Sequence, residues 1–349
     1  MKEPAPPHVP RILATYAKGR HPTWLNRVTL WDEWDAEVGR TWGKRLPFWP
    51  RLKRDLLYAV KLFRISSEYD VIITGCDHTG LFFALLQKVF RRHPQPHLFI
   101  HWIVQLHHRP LERKLRSLVF RWIINASSGA LVQTNKALEQ FSNALRVPRD
   151  KFVFVPYHAT ILGNHKQHAP TQDYIFAGGD SNRDYATLIE AVRGLRVTLL
   201  IAALHRHHFN GIEIPPNVEI VTVSPKEFAR LMAESFFVVV PMRRGLEHSG
   251  GQQTYINAMT MGKAVVVADD SGADDYVESG VTGFVVPAGD AGAMRRAIRE
   301  LSENSDRTRD MASCGRIAAA KFTPDRFFEN VFAICQRIAG TSGSAMRPQ

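Results

Sequence analysis

The segment PMRRGLEHSGGQQTYINAMTMGKAVVV, residues 241–267, decides the fold of this chain. It follows the apolar run Phe236–Val240, and a Ser-Gly-Gly turn then precedes a helical pattern whose apolar members are Tyr255, Ile256 and Met259. Gly262 ends that pattern before a second apolar run. Short continuous apolar runs are typical of strands buried on both faces. The segment therefore predicts strand, turn, helix and strand within a parallel α/β sheet.

The same alternation extends outward over the whole chain, which predicts two doubly wound α/β domains with a cleft between them. A polar, histidine-rich stretch at residues 162–173 interrupts it and is the predicted linker. We expect an N-terminal domain at 1–165, a C-terminal domain at 166–323 and a final helix with a tail at 324–349. The predicted strands are 11–16, 70–74, 98–104, 129–134 and 152–156, then 174–177, 197–202, 218–221, 236–240 and 264–268.

Composition excludes several classes of protein. With 349 residues, 45% of them hydrophobic, the chain can bury two cores. No apolar run approaches the ~20 residues that span a bilayer, and no secretory signal is apparent. The cysteines Cys76, Cys314 and Cys335 are widely spaced, which argues against a disulfide framework and a structural zinc site. We expect a cytoplasmic protein without a bound metal.

The net charge of +12 is carried entirely by the first half of the chain. Residues 1–165 hold 25 Lys and Arg against 12 Asp and Glu, and the remainder holds 20 against 21. Such asymmetry indicates an anionic partner for the first half, either a phospholipid surface or a phosphorylated acceptor. No zinc-finger spacing, RNP-like strand or basic heptad accompanies the charge, so we expect no nucleic acid.

Two glycine turns follow predicted strands of the second half. Gly250 and Gly251 stand at the start of one helix, and Gly178 and Gly179 precede another, with Arg183 close by. Amides exposed at a helix start bind phosphate, and a guanidinium neutralises it. Taken alone, the Ser-Gly-Gly turn is better explained as an ordinary strand-to-helix connection, and Arg183 could be a solvated arginine in a first helical turn. Together they predict a shared anion site. No GxGxxG follows the first strand, which disfavours a dinucleotide-dependent oxidoreductase.

Residues 174–340 resemble the C-terminal domain of GT-B glycosyltransferases, in particular the retaining group called glycosyltransferase family 4. The resemblance covers about half of the chain, in four ordered motifs: FAGG with RDYATLIEA at 176–191, SGGQ at 249–252, AMTMGKAVV at 258–266 and GADDYVESGVTGFVVPAGD at 272–290. It implies two Rossmann-like domains facing a central cleft, the first binding the acceptor and the second holding a nucleotide-diphosphate sugar. It also implies that the final helix within 324–349 crosses back to the first domain. The co-substrate would be that sugar, with no further cofactor.

The resemblance also implies roles for individual residues. Arg183 would neutralise the donor diphosphate, and Asn257 takes the place of a family glutamate that contacts the ribose. Ser249 replaces the first glutamate of the family's pair, and Glu247 is a candidate substitute. Val223 lies in a turn that resembles the segment touching the nucleotide base. The remaining predicted donor-site residues are Gly178, Gly179, Gly250, Gly251, Gln252 and Thr254.

The first half resembles the family's acceptor domain only in its order of elements. There, a histidine near a strand end often faces the donor sugar, and His101 and His107 are the candidates, with Asp77 and His78 after another strand. A core or solvated histidine is an equally good explanation of each. Retaining transfer, as the resemblance implies it, needs no protein nucleophile, so positioning and charge neutralisation are expected to dominate.

Two segments of the basic half have apolar stripes at helical spacing, with basic residues around them. A basic amphipathic helix either lies in an anionic membrane interface or packs on the sheet with its charges in water. The stripes are Leu52, Leu56, Val60 and Phe63, and Leu111, Leu115, Leu118, Val119 and Trp122.

The function that we expect is hexosyl transfer from a nucleotide sugar to a glycan or lipid-linked acceptor, in cell-envelope polysaccharide or glycolipid synthesis. The resemblance implies that the transfer proceeds with retention. The protein would lie in the cytoplasm, peripherally at the inner face of the membrane. Two alternatives stay open. One is a catalytically silent binding or assembly subunit, which Ser249 and Asn257 suggest because they replace carboxylates. The other is a nucleotide-sugar epimerase.

Overall fold

The computed structural model describes residues 9–15, 21–31, 47–90, 96–104, 109–161, 173–246, 250–269 and 271–344. The chain divides into two compact units. Unit 1 comprises residues 1–133, 137–155 and 325–349, and unit 2 comprises 134–136 and 156–324. The boundary therefore lies at 155/156, ahead of the predicted linker, most of which falls outside the described residues.

Unit 1 is built on a parallel sheet of six strands in the order β2-β1-β3-β4-β5-β6. All of its strand pairs are parallel, because each connection contains at least one helix or a long crossover. Its strands are β1 Ile12–Ala14, β2 Thr29–Leu30, β3 Val71–Thr74, β4 His97–Phe99, β5 Gly129–Val132 and β6 Phe152–Phe154, and its helices are α1 Pro22–Leu25, α2 Phe48–Ile65, α3 His78–Phe90, α4 Pro110–Asn125, α5 Asn135–Leu145 and, at the end of the chain, α11 Pro324–Ser344.

Unit 2 repeats the plan with the strand order β12-β11-β10-β7-β8-β9. Counted within the unit, this is the doubly wound order 3-2-1-4-5-6. Its strands are β7 Tyr174–Gly178, β8 Thr198–Ala202, β9 Val218–Val221, β10 Val238–Pro241, β11 Val265–Ala268 and β12 Phe284–Val286, and its helices are α6 Tyr185–Val192, α7 Pro225–Glu234, α8 Gln252–Thr260, α9 Ala291–Glu303 and α10 Ser305–Ala319.

The central strands are apolar because helices cover both faces of each sheet. Every residue of β10 and β11 is buried, and helices α8 and α9 contribute to separate clusters on opposite faces. In unit 1 the final helix α11 supplies Phe327, Phe328 and Val331 to the same cluster as β1 and β3. Each sheet thus has its own core, and the sequence elements of unit 1 come from both ends of the chain.

Helices α2 and α4 do not bury the stripes that their sequence suggests. In α2 the buried residues are Asp55, Tyr58, Ala59 and Leu62, and the predicted stripe is one position out of phase. In α4 the described structure buries only Ile123 and Ile124. The five residues of its predicted stripe are between 44% and 80% exposed. Packing of this stripe on the sheet is therefore the wrong interpretation.

None of the helices in the described part of the chain is long and apolar enough to cross a bilayer.

Candidate functional site

The two glycine turns of unit 2 lie side by side because their strands are neighbours. Strand β10 pairs with β7, with Val239 opposite Ala177. The carboxyl ends of these strands form the point where the strand order reverses, which is where doubly wound sheets bind ligands. The turn at Gly178 and Gly179 leaves β7 there, and the loop leading to Gly251 leaves β10.

Arg183 connects the two turns through a buried guanidinium that is 5% exposed. Its Nε donates to the carbonyl of Gly178 at 3.1 Å, and its Nη2 donates to Oγ1 of Thr254 in the first turn of α8 at 2.9 Å. Nη1 donates to the Ser181 carbonyl and contacts the sulfur of Met242, each at 2.9 Å. The residues predicted to share one anion site are therefore in direct contact.

The charge of Arg183 has no carboxylate partner among the described residues. Burial lowers the pKa of Arg183 from its usual value, and the nearby Tyr185 and Asp180 oppose that shift. A guanidinium nevertheless stays protonated in proteins. Four of its five N–H groups are used by the four contacts above, which leaves one on Nη2. A buried cation with a spare donor is favourable to an anionic ligand.

The start of helix α8 adds further donors. Gly251 caps the helix with φ +78°, the left-handed conformation that glycine adopts without strain. Gln252, the first helical residue, is 7% exposed, and its Nε2 has no hydrogen-bond partner among the described residues. An unpartnered buried amide is costly, and a ligand acceptor would satisfy it. The helix N-terminus and this amide both favour negative charge or an oxygen acceptor.

Packing also requires these glycines. A Cβ at Gly178 would collide with the ring of Phe228, and one at Gly251 would lie 2.8 Å from a methyl of Val240 and 3.0 Å from the Met242 sulfur. At Gly179, with φ +104°, a Cβ would lie 2.9 Å from Nη2 of Arg183. The glycine turns therefore make room for side chains of the protein. Met242 and Phe228 were not among the predicted site residues, since no sequence motif marks them.

Asn257 is engaged by the protein itself. Its Oδ1 accepts from the backbone amides of Thr160 at 2.8 Å and Ile161 at 3.1 Å, and its Nδ2 donates to Oγ1 of Thr160. The side chain is 3% exposed. In this structure the carboxamide fixes the segment that precedes the linker. Contact with a ribose remains a prediction.

Four other predicted donor-site residues have less defined surroundings. Val223 follows β9 and packs, half-buried, against the unit 2 core. Gly250 lies against the methyl group of Met242. Glu247 and Ser249 fall outside the described residues.

The histidine candidates lie in unit 1. His101 lies after β4, which ends at Phe99, and not within a strand as predicted. Its Nδ1 accepts from Nε2 of Gln133 at 2.9 Å, and its ring stacks on Phe327 with centroids 5.8 Å apart. His107 is outside the described residues. Among the residues that the structure describes, no cluster of three or more His, Cys, Asp or Glu could hold a metal ion.

Asp77 and His78 lie at the start of α3 in a cavity of about 420 Å³. Asp77 accepts from the amide of Gly80 at 2.9 Å, and His78 Nδ1 lies 3.1 Å from Oδ2 of Asp55. Burial raises the pKa of Asp77 to about 6, and the neighbouring Asp55 adds to the shift. The sequence indicated the polar pair but not the charged partners that α2 brings to it.

Two Rossmann-like units with fully parallel sheets define the GT-B fold. HepE of Anabaena, crystallised with UDP and glucose, has this fold: its TM-score is 0.67, with 17% identity over 97% of this chain and 100% of that chain. Sucrose-phosphate synthase of Thermosynechococcus elongatus gives 0.67, with 16% identity over 85% and 81%. A glycosyltransferase of Rickettsia africae gives 0.66, with 14% identity over 94% and 98%.

The family follows from residues 171–304, which match the model described as "Glycosyl transferases group 1". This segment begins just before β7 and ends after α9, so it covers the predicted anion site of unit 2. Unit 2 therefore carries a domain of the glycosyl transferases group 1 family, as the motifs of the sequence suggested. No significantly similar sequence was found among curated proteins.

Proposed function

We propose that this protein transfers a hexosyl group from a UDP-sugar to a glycan or lipid-linked acceptor. The single observation that carries the proposal is the buried guanidinium of Arg183, which joins Gly178 to Thr254 and lacks a carboxylate partner among the described residues. A diphosphate supplies the missing negative charge. UDP is the choice of nucleotide because HepE, which shares the fold over nearly the whole chain, was crystallised with UDP and glucose.

The proposed reaction requires the protein to stabilise the negative charge of the leaving group. When the bond between sugar and diphosphate breaks, negative charge grows on the leaving phosphate. Arg183 and the amides at the start of α8 would stabilise that charge, because preorganised donors act most strongly where charge develops. Retention follows if the leaving phosphate accepts the proton of the incoming hydroxyl on the same face. Determining the anomeric configuration of the product by NMR tests this part.

The acceptor belongs to unit 1 in this proposal. The exposed apolar stripe of α4 and the basic excess of residues 1–165 support peripheral contact with an anionic membrane. An acceptor linked to a lipid and a place in cell-envelope polysaccharide or glycolipid synthesis, at the cytoplasmic face of the membrane, fit that contact.

The decisive experiment compares Arg183→Ala with wild type in UDP and UDP-glucose titrations by calorimetry. A hydrogen bond to a charged group contributes about 1.5–3 kcal/mol, so affinity should fall about 10- to 150-fold. Arg230→Ala is the matched control, because Arg230 lies on α7 of the same unit, is exposed and pairs with Glu227 and Glu234. It should leave affinity unchanged.

Loss of fold is a separate outcome and has its own variant. Should Arg183→Ala fail to show a native circular dichroism spectrum, Arg183→Lys keeps the charge and is expected to bind UDP more weakly than wild type. Equal UDP affinities in wild type and a folded Arg183 variant would contradict the site. Binding of UDP-sugars without turnover across an acceptor panel would instead favour the silent subunit.

A further inference from the structure

Unit 1 contains a cavity of about 420 Å³ at the carboxyl ends of β3 and β4. Residues 76–78 after β3 and 103–104 after β4 form its floor, and helices α2 and α4 form its sides. Ligands of parallel α/β sheets sit at the carboxyl ends of strands, so the position is that of a binding site. The volume is within the range of small-molecule pockets, roughly 300–1,000 Å³. It accommodates a polar head group and leaves no room for long acyl chains.

Three arginines line the cavity, and two of them are available to a ligand. Arg54 forms two hydrogen bonds to Oδ1 of Asp55, at 2.7 and 2.9 Å, so that pair is internally neutralised. Arg51 and Arg116 have no carboxylate partner among the described residues, and Arg116 lies 5.5 Å from the ring centre of Phe120. Two unpaired guanidinium groups at one cavity are suited to a phosphate group.

Asp77 is the acidic group that opposes an anion here. Its carboxylate already accepts the Gly80 amide, and burial raises its pKa to about 6. Protonation near that pH converts it from a repelling charge into a hydrogen-bond donor. Asp55 is neutralised by Arg54 and also contacts His78. The remaining balance of charge in the cavity therefore favours an anion.

Apolar side chains stand exposed on the same two helices. On α4, Leu111 is 80% and Leu115 63% exposed, and on α2 Trp49 is 75% exposed. None of these three side chains is buried by other described residues. Exposed aromatic and aliphatic side chains beside cations are suited to the head-group and acyl boundary of a bilayer. This surface supplies the apolar environment that the cavity lacks.

We propose that the cavity binds the phosphate of a lipid acceptor through Arg51 and Arg116, while the exposed side chains of α2 and α4 enter the bilayer that holds the lipid. The inference rests on the proposed glycosyl transfer, for which it names the acceptor class. A phosphorylated acceptor free in solution would need the cations but not the exposed apolar side chains, which is why a lipid is the better occupant.

The test uses the full-length protein and three double variants. Arg51→Gln with Arg116→Gln removes the two cavity cations, and Lys53→Gln with Lys114→Gln is the control, because it removes the same charge from the same helices at exposed positions outside the cavity. Leu115→Ser with Trp122→Ser removes exposed apolar area. Thermal unfolding verifies that each variant folds.

Binding is measured with four probes. Two are vesicles, of phosphatidylcholine alone and of phosphatidylcholine with phosphatidylglycerol, assayed by co-sedimentation. The third is dihexanoyl phosphatidylglycerol below its micelle concentration, and the fourth is inorganic phosphate, both followed by NMR titration. UDP binding is recorded in parallel.

We expect wild type to bind the anionic vesicles and the short-chain lipid. The arginine pair should lose at least about tenfold more affinity for these vesicles than the lysine pair, since hydrogen-bonded contacts exceed diffuse attraction. The arginine double variant should also no longer bind the short-chain lipid. The apolar double variant should no longer bind the vesicles but should still bind the short-chain lipid.

Equal losses for the arginine and lysine pairs would mean diffuse attraction and would overturn the proposal. So would binding of inorganic phosphate without binding of vesicles, which would indicate an acceptor in solution. If the protein binds UDP but no phospholipid, the proposed glycosyl transfer stands and the proposed lipid acceptor is contradicted. If it binds phospholipid but no UDP, the lipid site in the cavity stands and the proposed donor is contradicted.

Discussion

At the scale of single residues, the roles of buried polar groups depend on contacts with residues that are distant in sequence. Asn257 receives its two backbone donors from a segment 97 residues earlier. Arg183 contacts Thr254, which lies 71 residues later. Both residues are nearly inaccessible, so each one either holds the fold of unit 2 or acts on a ligand through the few atoms that stay available.

Substitutions of Asn257 test whether a buried polar residue stabilises unit 2 or acts on a ligand. Replacing it with Ala leaves the amides of Thr160 and Ile161 without an acceptor, so unit 2 should lose about 2–4 kcal/mol of stability. Asn257→Asp keeps the acceptor oxygens and should lose about 1 kcal/mol. Urea denaturation measures both values.

Gln253→Ala is the control for Asn257, because Gln253 also binds Thr160 but is exposed. Gln253→Ala should lower the free energy of unfolding by less than about 1 kcal/mol, as expected for a hydrogen bond exposed to water. If Asn257→Ala were as stable as Gln253→Ala, the Asn257 contacts would not hold the segment. A fall in the UDP affinity of a stable Asn257→Asp variant would support its predicted contact with the ribose.

The sequence identified the residues at the site that belong to motifs, and missed those that act by packing. Gly251 and Thr254 stand next to each other in one turn, so their spacing predicts a shared location. Met242 and Phe228 occupy the space that the glycines leave free, and they do so from other elements. Such complementarity depends on the three-dimensional arrangement of strands and helices, which spacing in sequence does not encode.

At the scale of elements, hydropathy predicted the strands that contain buried residues and missed those that contain none. β10 and β11 are continuous apolar runs that overlap the predicted strands 236–240 and 264–268. β2 and β12 were missed because none of their residues is fully buried, so neither forms a continuous apolar core run. In α2 the phase was wrong because Asp55 is buried, held by Arg54 and His78. A polar residue in a core position defeats the pattern.

Strand β4 makes the stability of unit 1 dependent on pH. His97 is fully buried in this strand, and its Nε2 lies 2.8 Å from Oγ1 of Thr74. Burial lowers the pKa of His97 from 6.5 to about 3. The unfolded chain therefore binds the proton more readily than the folded one. The stabilisation is complete above pH 6.5 and is lost as the pH falls towards 3.

We expect the free energy of unfolding of unit 1 to fall by about 1.4 kcal/mol per pH unit between pH 6 and 4 from this group. His97→Gln should reduce the slope by that amount, and His205→Gln, which changes an exposed histidine of unit 2, should not. Chemical denaturation at several pH values measures the slope. An unchanged slope in a folded His97→Gln protein would show that His97 is not the group responsible.

At the scale of the whole molecule, the two units differ in how the chain builds them. Apart from residues 134–136, unit 2 is one continuous segment, 156–324. Unit 1 needs the N-terminal segments and also residues 325–349. The order of the strands, and the packing of residues 325–349 in unit 1, depend on which helix covers which sheet. Local periodicity therefore predicted the last helix, and only the family resemblance indicated that this helix returns to the first domain.

Truncation separates the units. In α11, Phe327, Phe328 and Val331 are each 2% exposed or less and pack with Ile12 and Val71 of β1 and β3. Full burial of such a side chain contributes about 1.5–3 kcal/mol, so the three together contribute about 5–9 kcal/mol. This is comparable to the entire stability of a domain, about 5–15 kcal/mol. A chain ending at Pro324 should therefore lose the calorimetric unfolding transition of unit 1 and keep that of unit 2.

A chain ending at Ser344 is the control for this truncation, because it retains the whole of α11 and should show both transitions. UDP adds a second criterion, since a ligand that binds only the folded state stabilises it by about 2.7 kcal/mol at a concentration 100 times its Kd. It should raise the temperature of the remaining transition of the shorter chain, because the proposed donor site lies within residues 156–324. Survival of both transitions without α11 would mean that unit 1 folds from residues 1–155 alone, and loss of both would mean that unit 2 depends on unit 1 for its stability.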